Sequence, residues 1–96
     1  MLRKTESDTR TFLFDFSNIL SEGDGVLKIH DIRLEGDISI GEELFIDDKS
    51  VLLYIYGGES GKSYEISVLV ITEIGDVLEI KDFIVVSDFD FDSSVM

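Results

Sequence analysis

Two apolar, β-branched runs, Val51 to Tyr56 and Tyr64 to Thr72, stand on either side of Gly57-Gly58-Glu59-Ser60-Gly61-Lys62-Ser63, and no other feature constrains the chain as much. Glycine enters positive φ without steric cost, so three glycines between two strand-like runs predict a tight β-hairpin. The same segment imitates a phosphate-binding loop, because Gly61-Lys62-Ser63 ends like G-x-x-x-x-G-K-[ST]. The imitation fails twice. The first glycine of such a loop would stand at position 56, which is Tyr56. A phosphate loop also opens a helix, whose free N–H groups complete the anion cradle, whereas the residues from Tyr64 onward alternate as a strand does.

The rest of the chain reads the same way. Phe12, Phe14 and Phe16 alternate on one face, which predicts a half-buried strand, and Ser17 to Gly25 is a turn region anchored by Ile19 and Leu20. In Val26 to Leu34 the apolar parity changes between Leu27/Ile29 and Ile32/Leu34, so a β-bulge near His30 and Asp31 is expected. Ile38/Ile40 and Leu44/Ile46 mark two short strands separated by Gly41-Glu42-Glu43, with Asp47 to Ser50 as the following turn. Val51 to Tyr56 is apolar throughout, as in a central strand covered on both sides or one with an exposed aromatic face. Leu69 and Ile71 add apolar surface to the second face of the next run, predicting cover on both sides there. Val77 to Val86 is the last strand, with Phe83 and Val85 expected inward. About seven strands at short spacing, without a helix of ordinary length, predict an all-β fold: an antiparallel immunoglobulin-like β-sandwich over 11–86. Residues 1–10 read as a flexible N-terminal arm, and 87–96 as an acidic-aromatic C-terminal tail.

Charge and composition narrow the function. Eight Lys and Arg against 21 Asp and Glu give a net charge of −13, which repels phosphate backbones and anionic lipid, so neither direct nucleic-acid binding nor membrane binding is expected. No cysteine is present, which excludes disulfides, thiolate-held metal and thiol catalysis. The N-terminus shows no apolar segment of the kind an export signal needs, and no apolar run is long enough to span a bilayer as a helix. His30 is the sole histidine, with no second nitrogen or sulfur ligand to share a metal, and no serine has a visible partner for a triad. Catalytic, cofactor and metal residues are therefore expected to be none.

Two segments remain as candidate partner-binding residues. Between Glu35 and Asp48 there are six acids and no Lys or Arg, and Glu42, Glu43, Asp47 and Asp48 form either a surface for a basic partner or solvated loops. Asp88-Phe89-Asp90-Phe91-Asp92 imitates the start of a calcium loop but lacks its glycine and its closing glutamate. It reads better as an extended segment with carboxylates on one face and Phe89 and Phe91 on the other, suited to adding to a neighbour's sheet edge.

Three motifs in order carry a resemblance: Phe14-Asp15-Phe16-Ser17-Asn18-Ile19-Leu20, then Gly57-Gly58-Glu59-Ser60-Gly61-Lys62-Ser63-Tyr64, then Thr72-Glu73-Ile74-Gly75 before the closing strand. Over roughly residues 12 to 86 the chain resembles the small immunoglobulin-like structural proteins of tailed bacteriophages, of the fibre-tail or head-tail adaptor kind. The resemblance implies a β-sandwich, a place in the virion or in the bacterial cytoplasm during assembly, other virion or prophage proteins as partners, and no catalytic residue. Closed rings are the common solution for such adaptors, so a homo-oligomer is a further expectation. Two alternatives stay open: an acidic inhibitor that mimics phosphates for a basic partner, and an immunoglobulin-like surface module, calcium-dependent or not.

Overall fold

The computed structural model describes residues 1–87, and of 44–46 the backbone alone. Seven strands form: β1 (Leu2–Lys4), β2 (Arg10–Asp15), β3 (Val26–Leu34), β4 (Ile38–Asp47), β5 (Ser50–Gly57), β6 (Ser63–Thr72) and β7 (Val77–Val86). They pair as a four-stranded sheet in the order β1-β7-β6-β3 and a three-stranded sheet in the order β2-β5-β4. The pairings are antiparallel apart from β1, which runs parallel to β7. This is the strand order of an immunoglobulin-like sandwich whose first strand lies on the edge of the sheet that holds the last.

The alternation that predicted the strands is the alternation that builds the core. Phe12, Phe14, Val51, Leu53 and Ile55 from one sheet meet Ile66, Val68, Val70, Ile84 and Val86 from the other, all buried. β5 is the central strand of its sheet, as expected, and its second face is aromatic: Tyr54 is half-buried and Tyr56 exposed. Leu69 and Ile71, by contrast, are only half-buried, because no further layer covers that face among the described residues.

His30 is the extra residue between the pairs Ile29/Val70 and Asp31/Leu69, so the bulge falls where the parity change placed it; a second interrupts the pairing at Leu27. Elsewhere the structure departs from the expectations. Ile38 to Asp47 is one strand, not two, because a bulge between Ile40 and Glu43 absorbs the Gly41-Glu42-Glu43 interruption. Leu2–Lys4, within the segment read as an arm, is a strand; Lys4 is buried, and its Nζ donates to Gly57 O at 2.6 Å and to Thr5 O. Burial draws the Lys4 pKa down, nearby Asp8 and Glu6 opposing it. Phe83 is exposed and Val85 half-buried, while Ile84 and Val86 point inward. The β6–β7 register is unbroken from Ser63/Val85 to Ile71/Val77, so the inward parity set by Leu78 and Ile80 runs straight through Asp82.

The largest correction concerns the glycine segment. β5 pairs with β2 and β4, and β6 with β3 and β7, so Gly57 to Lys62 is an arch from one sheet to the other and not a hairpin. Its positive φ values are real: 81° at Gly57, 91° at Gly58 and 87° at Gly61. Gly58 has a second reason to lack a side chain, since a Cβ there would lie 2.9 Å from Val86 Cγ2 and 3.4 Å from the Tyr64 ring. At Gly61 a Cβ would meet nothing within 4 Å.

These two glycines separate backbone strain from crowding. Gly61→Ala should lower the unfolding free energy in urea by about 1–2 kcal/mol, the cost of positive φ. Gly58→Ala should cost at least about 1 kcal/mol more through overpacking. Equal losses would show that the Tyr64–Val86 contact does not limit this position.

Candidate interaction surface

At one pole of the sandwich the two sheets are tied through Tyr64, the first inward residue of β6. Its hydroxyl accepts a hydrogen bond from Glu59 N–H at 2.8 Å and donates to Asp37 Oδ1 at 2.5 Å. A Cβ on Gly36 would come within 3.0 Å of its ring, so Gly36 (φ 105°) makes room for the ring as Gly58 does. A tyrosine hydroxyl reaching back to backbone a few residues upstream is the corner found in many immunoglobulin-like domains. The Tyr64 bond holds the Asp37 carboxyl below its ordinary range, while burial and the same carboxylate push the phenol up.

The backbone donors of the arch are used within the fold. Gly58 N–H donates to Asp37 O, Glu59 N–H to Tyr64, Gly61 N–H to Val86 O and Lys62 N–H to Glu59 O. Those donors are spent internally, which leaves none of the four to form a cradle. Lys62 pairs with Glu59 at 2.9 Å on an exposed surface, which raises its pKa.

The lateral sides of the sandwich differ. β3 and β4 are consecutive and joined by Glu35-Gly36-Asp37, so the outer edges of the two sheets lie together there. Both edges carry two register shifts. Glu42 and Glu43 sit at one bulge of β4, and Asp47 and Asp48 at its turn, all four exposed. Asp47 Oδ1 accepts from Lys49 N–H at 2.7 Å, and Asp48 O accepts from Val26 N–H at 2.6 Å, so the turn is braced against β3. The structure thus strings the four predicted acids along one edge strand and its turn. Asp88, Phe89, Asp90 and Phe91 lie outside the described residues.

On the outer face of the four-stranded sheet, a groove of ≈ 340 Å³ is lined by Arg33, Glu35, Glu65, Ser67, Glu79 and Lys81 among others. It alternates carboxylates and cations and is lined by no histidine. Among the described residues no group of three His, Cys, Asp or Glu side chains is placed to hold a metal ion, and no helix is long and apolar enough to cross a membrane. The Tyr64 corner escaped the sequence reading, although Gly36, Gly58 and Tyr64 were all visible; what was missing was the knowledge that the arch brings Asp37 beside Tyr64.

The molecule is an all-β sandwich whose two sheets are tied by hydrogen bonds at this pole through Tyr64 and at the other through Val26 N–H and Asp48 O. Residues 4–85 match the family model described as podophage GP4 fiber-tail adaptor protein gp77, and the chain belongs to that family. A search of curated proteins finds no match.

Tyr64→Phe should fold and melt at a lower temperature. The depressed Asp37 pKa contributes stability that is present above its ordinary value of 3.8 and is lost as pH falls through the lower folded value. The Tm gap between wild type and Tyr64→Phe should therefore be full at neutral pH and narrow below 3.8. A gap unchanged to pH 2 would assign the whole effect to the Glu59 bond.

Proposed function

We propose that this chain is a virion protein that joins tail components by protein–protein contacts alone, with no catalytic step. Family membership across residues 4–85 carries this reading, and the geometry supports it, because the polar groups at the sheet-to-sheet tie satisfy one another. The acidic side built by Glu42, Glu43, Asp47 and Asp48 is the surface that meets a basic partner in the tail or neck, and Asp88, Phe89, Asp90 and Phe91 supply a second contact. Charge on such a surface acts mainly on the rate and orientation of encounter.

The rival reading, a phosphate mimic for a basic enzyme, needs a continuous acidic track. On β4 the acids fall into two groups, at the bulge and at the turn, with Lys49 beside the second. The adaptor reading is preferred on that ground.

Glu42→Lys/Glu43→Lys should slow association with purified tail components by about tenfold or more at low ionic strength, with the difference shrinking as salt rises. Particles assembled with this variant should carry less of the protein. Unchanged association at low salt would remove the acidic edge from the interface, and absence of the wild-type chain from purified particles would overturn the adaptor role itself.

A further inference from the structure

The other lateral side is open. β1 covers β7 only at Ile84, Val85 and Val86. From Val77 to Lys81 the outer edge of β7 has no partner strand among the described residues; beyond it the Met1 amino group pairs with Asp82 at 3.1 Å and Phe83 N–H donates to Asp82 Oδ1. The burial of its inward residues changes where that cover ends: Ile84 and Val86 are 0% and 1% exposed, while Leu78 and Ile80, of the same parity, are only partly buried. A piece of core is therefore uncovered for want of a strand in line with β1.

Edge strands left flat and unpaired invite another strand, and proteins ordinarily blunt them with bulges and charge. On the acidic side both edges are bulged, but here the registers of β2 with β5 and of β7 with β6 run without a break. Leu13 on β2 and Val77 and Phe83 on β7 are exposed at 55%, 54% and 52%. The exposed cations Arg3, Arg10 and Lys81 stand on the three strands that bound this side.

We propose that the free edge of β7, Val77 to Lys81, is an acceptor for the segment Asp88–Asp92 of a second copy of this chain. Its alternation fits the slot: Phe89 and Phe91 enter beside Leu78 and Ile80, and Asp88, Asp90 and Asp92 face outward on the side of Lys81. A chain's own tail is poorly placed to do this. It leaves from Ser87, whose N–H bonds Lys4 O, and β1 stands between it and the slot. The donor is therefore another copy, and the contact is head-to-tail. This deepens the adaptor reading without depending on the acidic side.

The chain has no cysteine, so introduced thiols report alone. The full-length Phe89→Cys variant, mixed with full-length Ile80→Cys and separately with Ser39→Cys on β4 as a control for the acidic side, should cross-link under mild oxidation with the first and not the second. Sedimentation at moderate salt should show concentration-dependent association of the wild type, weakened at least about tenfold by Phe89→Ala/Phe91→Ala. Equal cross-linking to both positions, or a wild type monomeric at all concentrations, overturns the proposal. Hydrogen exchange that protects Val77–Lys81 only when a tail component is added also overturns it, assigning the slot to a strand of that partner. A monomer still incorporated into particles would sink the tail exchange and leave the adaptor role standing.

Discussion

The Tyr64 hydroxyl sits between Glu59 N–H and Asp37 Oδ1, and the packing of one sheet on the other at that pole depends on it. Apolar packing favours any arrangement that buries Phe14, Leu53, Ile66 and Val68, and it is weakly directional. The polar ties are not. Tyr64 joins β6 to the arch and to the entry of β4, and Lys4 joins β1 to Gly57 at the end of β5. At the opposite pole Val26 N–H to Asp48 O does the same, and Glu73 N–H to Gly25 O ties the ends of β6 and β3 within their own sheet, with Asp24 Oδ1 accepting from Gly25 and Ile74 N–H. A sandwich without disulfide or proline is thus kept in one register by hydrogen bonds at its two ends, which explains why Gly36 and Gly58 are as necessary as the core they do not enter.

The same economy shapes the edges. Chains that lack proline cannot use it to block strand addition, and here bulges and carboxylates do that on the β3–β4 side. The β2–β7 side has no bulge in its registers, although Glu79, Lys81 and Asp82 put charge on β7. The two lateral sides thus differ in backbone regularity: bulged on the β3–β4 side and in unbroken register on the β2–β7 side.

What could be read from the sequence was whatever a single strand writes into its own residues. Phe12, Phe14 and Phe16 betray their strand by alternation, and the parity change around His30 betrays the bulge, because both depend only on which face is apolar. Pairing is not written locally. Gly57, Gly58 and Gly61 announce a reversal at positive φ, but a hairpin and an arch need the same backbone freedom, and only the partners of β5 and β6 tell them apart. Leu2–Lys4 is too short for a pattern, and its inward residue is a lysine, so it read as an arm. In β7, Asp82 at an inward position broke the series Leu78–Ile80–Ile84, and Phe83 and Val85 then looked like the core. As for the acidic residues, Glu42/Glu43 and Asp47/Asp48 are already two groups in the sequence, and the structure sets the first at a bulge of β4 and the second at its turn.

Charge and hydrogen bonding act over different ranges, and this decides how a chain of −13 can associate with itself. Repulsion between copies extends over roughly 10 Å at 0.1 M salt, whereas a strand added to β7 is held by main-chain bonds of about 3 Å and by buried phenyl rings. Screening therefore weakens what opposes a head-to-tail contact and leaves what favours it almost untouched. Such a contact uses two different patches, the slot of one copy and the tail of the next, and so closes into a ring only when the rotation it imposes divides a full turn. The proposed contact would leave the acidic β3–β4 side uncovered. On the proposed contact, one small sandwich would meet a second copy through one side and leave the other side for a different protein.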